Sequence, residues 1–386
     1  MKVLIQGAGP AGLVLAIALH RAGHEVQVVD RATPDRRDGF AVGLHASGWR
    51  AMERLDLIPA LKARQMPLAE ARYLRSDLRP HIAYDYRRIG AAMGGRIMAI
   101  MRDDLQDVLI AAAEGISLRW QSSVVDLAQY ASGVDVTLGD GSQSRHDLVV
   151  GADGYRSGLR RLVFADLPDP VRPLGYRVAS WKFRPASTLA ASVIGLADID
   201  RQATLYALPD GGAATLFCWR EADMTRLGAE DRRSAVLAQF EGWPDPVAGA
   251  IAAADWDQVF LDSVAQIEMP FWSRGRVVLL GDAAWNLAFL SGQGTTLATA
   301  GAILLADALQ NRDPVAAIEA WEARLRSMVT RLQAGSRRVG GQYVPVSRRG
   351  MWLQSLLAPI LFSRPLLPIL VRRMAGPEIP TTLSAT

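Results

Sequence analysis

Val3-Leu4-Ile5-Gln6-Gly7-Ala8-Gly9-Pro10-Ala11-Gly12 is followed by a helical run and then by Val26-Gln27-Val28-Val29-Asp30. An apolar strand, a glycine turn, a helix and a second strand ending in a carboxylate form one βαβ unit. Gly7 permits the tight turn out of the strand. Gly9 removes a side chain that would block a phosphate. Gly12 lets the helix pack close to the strand. The helix start supplies free N–H groups and a positive dipole end. Pro10 suits that first turn, where its missing N–H loses nothing. Asp30 lies about twenty residues on, where a carboxylate accepts hydrogen bonds from ribose hydroxyls. The unit therefore reads as a dinucleotide cradle, with Arg31 beside its acid.

Met1-Lys2 and the apolar run after it superficially look like a signal peptide. Three glycines and a proline interrupt the run, and His20-Arg21 closes it without a small-residue cleavage site. Leu13, Ala16 and Ile17 fit a core helix instead. The 386 residues are half hydrophobic, enough for two lobes or for one large α/β unit with an inserted domain. The net charge of +4 is small, which argues against a nucleic-acid partner. Cys218 stands alone, so the chain has no disulfide, no CxxC pair and no cysteine metal cluster. No metal site is expected, and a reducing cytoplasm suits the chain. The late apolar stretch 351–371 is broken by Pro359, Arg364, Pro365 and Pro368. It reads as short helices over the core, with docking to a membrane surface or partner subunit as the alternative, and no transmembrane segment is expected.

Helical spacing recurs at 47–55 and, through Leu105, Val108, Leu109 and Ala112, at 102–113. Strands are expected at 118–125 and 134–138, the second leading into a Gly139-Asp140-Gly141 turn. From 172 to 265 the texture changes to short strands at 176–183, 192–196, 204–208 and 214–219, mostly antiparallel and rich in aromatics. Side chains alternate between faces along each strand. Trp181 therefore shares a face with Arg177, Tyr206 with Leu208, and Phe217 with Trp219, without the sequence saying which face is inward.

Two further motifs follow. Leu148-Val149-Val150 runs into Gly151-Ala152-Asp153-Gly154-Tyr155-Arg156-Ser157-Gly158-Leu159-Arg160. Later, Val277-Val278-Leu279-Leu280-Gly281-Asp282-Ala283-Ala284-Trp285 leads to Ser291-Gly292-Gln293-Gly294-Thr295-Thr296 and a long helix. A strand that delivers Asp282 beside a glycine-rich helix start can bind polyol hydroxyls and stabilise negative charge.

In this order the three motifs resemble those of the flavin-dependent monooxygenases of the para-hydroxybenzoate hydroxylase class (group A), over nearly the whole chain. The resemblance implies a glutathione-reductase-type Rossmann-like FAD-binding domain with an inserted, mostly antiparallel β-sheet substrate domain and a helical C-terminus. The FAD-binding parts would be 1–72, 96–171 and 266–335, the substrate parts 73–95 and 172–265, and the C-terminal helical segment 336–386. It also implies that Gly7, Gly9, Pro10, Ala11 and Gly12 hold the FAD pyrophosphate, and Asp30 with Arg31 the adenosine ribose region. Arg102 and Val125 would border the cofactor. Asp153, with Arg156 and Arg160, matches the family's middle motif, linked to FAD-domain integrity and to nicotinamide use, which puts Asp153 among the cofactor-binding residues. Asp282 would bind the ribityl chain, and Gly292, Gln293, Gly294, Thr295 and Thr296 the isoalloxazine. The segment 39–45 resembles the family stretch beside the flavin, which places His45 there.

The reaction so implied is hydroxylation of an aromatic or polyketide-like small molecule by O2 through a C4a-(hydro)peroxyflavin, with NADPH or NADH as transient reductant. Two departures stand out: Trp285 replaces the family's usual histidine, and Phe289 its usual proline. They keep open an alternative, an oxygen-independent flavin oxidoreductase or a non-redox flavoenzyme. Trp181, Tyr206, Phe217, Trp285 and Phe289 are the candidate substrate-binding residues. His45 and Tyr206 are the weak candidates for catalytic groups. The chain is expected to act as a monomer or homodimer.

Overall fold

The computed structural model describes residues 1–35, 39–310, 313–363 and 365–369. Its centre is a six-stranded sheet in the order Ser273–Arg274, Val277–Leu279, Leu148–Gly151, Lys2–Gln6, Glu25–Val29 and Ser117–Arg119. All neighbours run parallel except the short edge strand 273–274. Val3, Leu4 and Ile5 are fully buried, as expected where helices cover both faces of a parallel sheet. The helix Pro10–Arg21 packs on this sheet and against the helix Gly294–Ala308, which returns from the far end of the chain. The expected strand 118–125 is two strands, Ser117–Arg119 and Val124–Tyr130, separated by Gln121 at φ 52°. The second belongs to a separate three-stranded sheet with Gly133–Leu138 and Gln143–His146.

A larger sheet stands over one end of this core. Its order is Phe260–Ile267, Val171–Ser180, Ala213–Arg220, Arg201–Ala207, Val193–Asp198, Glu70–Arg75 and Pro80–Asp85, with Lys182–Phe183 pairing beside Ala213–Arg220. All these pairings are antiparallel except that of Val193–Asp198 with Glu70–Arg75. The register fixes the faces. Val178 pairs with Cys218, Cys218 with Gln202, and Thr204 with Gly195, so these residues share one face. Ala179 pairs with Phe217, and Phe217 with Ala203, on the other.

The second face is a closed core. Trp181, Phe217, Trp219 and Leu205 pack there with Phe240, Trp243 and Val247 from the helices Arg232–Phe240 and Val247–Ala252 and the turn between them. The first face looks back at the six-stranded core. Two polar ties hold the sheet in place. Ser180 Oγ donates to Gly39 O at 2.6 Å, and Lys182 Nζ reaches Asp103 at 2.7 Å. The helix Pro314–Tyr343 carries the phenol of Tyr343 to Thr204 Oγ1 at 3.0 Å. The last described helix, Arg348–Leu361, lies against the outermost strand Pro80–Asp85.

Candidate active site

The cradle at the end of the first strand is built from close backbone approaches. Gly7 has φ +118°, and a Cβ there would collide with the Ala152 carbonyl of the neighbouring strand's exit loop. A Cβ on Gly12 would overlap the Gly7 carbonyl oxygen, so Gly12 sets the distance between helix and turn. No side chain caps the helix Pro10–Arg21, which leaves its first N–H groups for a ligand. Asp30 is fixed by the turn: Ala8 N–H donates to one carboxylate oxygen at 2.6 Å and Ala32 N–H to the other at 2.8 Å. Each oxygen keeps acceptor capacity for ribose hydroxyls.

The other end mirrors this arrangement. Gly281 at φ +65° turns the strand Val277–Leu279 toward Asp282, and Gly292 at φ +63° leads into the helix Gly294–Ala308, whose start also lacks a side-chain cap. Asp282 is open to the groove but surrounded by protein. Burial therefore pushes its carboxyl above the usual range, while the Arg102 guanidinium pulls it back. Arg102 joins the two ends. Its guanidinium lies 3.7 Å from where a Gly9 Cβ would stand and rests over the Phe40 ring, 5.8 Å from the centroid.

The middle motif braces the groove from behind. One Asp153 oxygen accepts from Gln6 Nε2 at 2.6 Å and from Gly158 N–H at 2.7 Å, while its other oxygen is buried without a partner. Arg160, buried, donates to Ala283 O at 2.8 Å and Tyr155 O at 2.7 Å, locking the turn that carries Asp282. Arg156 makes a two-bond ion pair with Asp262, at 2.9 and 2.6 Å, tying this motif to the edge strand of the large sheet.

Together these parts wall a groove of about 570 Å³. Gly7, Gly9, Pro10, Ala11, Asp30, Arg31, Arg102, Asp153, Asp282, Phe289, Gly292, Gly294 and Thr295 all border it. Beyond Gly292 the groove continues to Val178, Phe260 and Val264 on the inner face of the large sheet. Phe40, Phe260 and Phe289 form its apolar wall, with ring centroids 4.9 Å (Phe40–Phe260), 5.0 Å (Phe40–Phe289) and 6.2 Å (Phe260–Phe289) apart. Phe40 lies in the 39–45 segment expected beside the flavin, whereas Phe260 and the role of Gln6 carried no signal in the sequence. Gln6 ends the first strand but reaches sideways, accepting from Val124 N–H at 2.6 Å.

Several expected site residues stand elsewhere. Trp181 and Phe217 face the closed outer core, and Trp181 Nε1 donates to Ala250 O at 3.1 Å, so neither reaches the groove. Trp285 is buried between Trp272 and Trp321, at 4.5 and 5.6 Å, and against Gly301; its Nε1 has no acceptor. It fills the core behind Asp282 rather than a substrate cavity. Val125 points to solvent at 52% exposure while its neighbour Val124 borders the groove, a one-residue alternation. Gln293 and Thr296 form the layer behind the lining. Thr296 Oγ1 accepts from His45 N–H at 2.9 Å. His45 itself starts the helix Ala46–Arg54. Burial holds its imidazole below the usual value, and its Nδ1 has no partner. Tyr206 is on the inner face, packed among Met66, Met101 and Ala214. Burial pushes its phenol well above the usual range.

A groove with an uncapped helix start and a carboxylate near each end has the donors and acceptors that an anionic, polyhydroxylated cofactor such as FAD needs. Joined to an apolar chamber, it defines a flavoprotein oxidoreductase. The chain belongs to the family described as "FAD binding domain", whose model matches residues 1–313. It is an FAD-dependent monooxygenase. The chain is 32% identical over 317 residues to the 2-heptyl-3-hydroxy-4(1H)-quinolone synthase of Pseudomonas aeruginosa, covering 79% of this chain and 80% of that one. It is 27% identical over 356 residues to the aurachin C monooxygenase/isomerase of Stigmatella aurantiaca, covering 88% and 89%. Klebsiella pneumoniae HpxO, solved with FAD and uric acid, shares the fold with a TM-score of 0.85 at 23% identity, covering 98% of this chain and 97% of HpxO. Among the described residues no helix is long and apolar enough to cross a membrane.

Proposed function

We propose that this enzyme hydroxylates a planar, apolar heteroaromatic compound of the quinolone kind. The ring would lie between the Phe40–Phe260–Phe289 wall and the inner face of the large sheet. The observation that carries this reading is the continuity of the groove from Asp282 and Gly292 to Val178, Phe260 and Val264. The names of the quinolone and aurachin relatives support the substrate class.

FAD, when bound, supplies the redox chemistry: it takes hydride from NADPH or NADH and activates O2. The chain's own residues do the rest. The N–H groups after Gly9 hold the pyrophosphate, and Asp30 accepts from the adenosine ribose. Asp282 accepts from the ribityl hydroxyls, and the 294–308 helix start offers its positive dipole end to the ring system. The three phenylalanines keep water out of the chamber, which strengthens every polar contact inside it. Tyr206, whose phenol burial pushes further above its usual range, would serve as a hydrogen-bond donor rather than a base. His45 packs beside Gly43 and supports the strand Ala41–Leu44. We place the enzyme in a reducing cytoplasm, which suits the single, buried Cys218, and as a monomer or homodimer.

The test is a substrate screen on the purified, FAD-loaded protein. NADPH and NADH oxidation and oxygen uptake are followed together across quinolones, simple phenols and aliphatic controls. The proposal predicts that quinolones stimulate both rates in a one-to-one ratio. Stimulation by phenols alone would discard the substrate class and keep the reaction.

A further inference from the structure

The helix Arg348–Leu361 meets the protein through one face only. Met351 and Ala358 are buried, Ser355 Oγ lies 2.6 Å from His81 Nδ1, and Phe362 just beyond the helix stacks on Tyr84 at 4.7 Å. The opposite face carries Trp352, Leu353, Leu356, Leu357, Ile360 and Leu361, all exposed, Trp352 to 67% and Ile360 to 54%. A surface helix places polar residues outward; one that is apolar all round belongs in an apolar environment. Thirteen large apolar side chains are exposed among the described residues, and nine of them lie between Val346 and Ile369. A concentration of that kind marks a docking surface.

The charge pattern says what docks there. From Ala323 to Pro377 the chain has ten arginines and no aspartate or glutamate. Without those ten charges the remaining 331 residues carry −6, although the whole chain carries +4. Arg348 and Arg349 are exposed at the start of the apolar helix itself. Arg326 and Arg337 are paired with Glu322 and Glu268, so the charges shown at this face are Arg348 and Arg349, and a second copy packed on it would bring these like charges together. An anionic bilayer meets both requirements, apolar acyl chains for the leucines and anionic headgroups for the arginines. The helix has 14 residues with Pro359 inside, about 21 Å of rise against the ~30 Å bilayer core, so it suits the plane of the interface. We propose that the 348–361 helix is a membrane-surface anchor, docking the enzyme on anionic lipid with its large sheet next to the bilayer.

The test is flotation of the FAD-loaded full chain with vesicles of phosphatidylcholine alone or mixed with phosphatidylglycerol, at low and high salt. The protein should float with the mixed vesicles at low salt. Partitioning should fall roughly tenfold on pure phosphatidylcholine and likewise in high salt. Leu356→Glu with Ile360→Glu should abolish flotation, and Arg348→Glu with Arg349→Glu should weaken it on mixed vesicles alone. Flavin content and circular dichroism should stay unchanged in both. Trp352→Lys gives an independent check at another exposed position. Failure to float with either vesicle overturns the proposal. So does a dimer, seen by light scattering, that Leu356→Glu with Ile360→Glu turns into monomers without any change in vesicle binding.

Discussion

At the level of single residues, the proposed cofactor site turns on Asp282 and Arg102. Asp282 stands on a turn that Gly281 permits and Arg160 locks, and Arg102 faces it from the Gly9 side. Asp282→Ala should weaken FAD binding roughly tenfold or more, because a charged acceptor leaves a polar groove. The flavin-to-protein absorbance ratio after gel filtration checks this, and full retention would remove Asp282 from the assignment. Gly7 and Gly12 were legible because backbone geometry requires them: a Cβ at either would strike a carbonyl oxygen. Phe260 and the sideways reach of Gln6 were not legible. An apolar residue near a strand reads the same whether it walls a groove or fills a core. Val125 failed for a related reason, since a one-residue shift along a strand moves a side chain from groove to solvent.

The large sheet shows the same limit at the level of elements. Alternation correctly grouped Trp181 with Arg177 and Phe217 with Trp219, but nothing local says which face the helices 232–240 and 247–252 will cover. The bulky aromatics belong to that covered face and Tyr206 to the inner one. Phe217→Ala should therefore destabilise the protein by about 3–5 kcal/mol, seen as a lower denaturation midpoint. Tyr206→Phe should leave the midpoint within about 1 kcal/mol and change the KM for substrate instead. Reversed outcomes would place the cavity on the wrong face. The small sheet ending at His146 carries a pH signature. Burial, the largest cause, holds its imidazole down at about 4, against 6.5 when free. Between those values the unfolded chain binds a proton that the folded chain does not. Stability present above pH 6.5 is therefore lost as pH falls toward 4. Thermal melts at about pH 7 and about pH 5 should show a drop in Tm that His146→Gln reduces. An equal drop in both proteins would exclude His146 as its source.

Across the whole molecule, one groove runs from the first glycine turn, past Asp282, to the inner face of a sheet assembled from distant segments. The Arg156–Asp262 pair and the Ser180–Gly39 bond hold that sheet over the groove's end. The architecture was legible because three motifs, far apart in sequence, each demand a strand end at one crevice. The substitution of Trp285 for histidine leaves that architecture intact, since its indole joins the Trp272–Trp321 core, whereas Phe289 stands in the wall itself. The central claim is that flavin reduction at the Asp282–Gly292 end of this groove leads to oxygen insertion into an aromatic ring held in the adjoining chamber. The most direct measurement is turnover with a quinolone substrate under isotopically labelled dioxygen, with the product read by mass spectrometry. The account predicts one labelled oxygen atom per product molecule and no turnover of that substrate without oxygen. An unlabelled product, or equal turnover in the absence of oxygen, would contradict it.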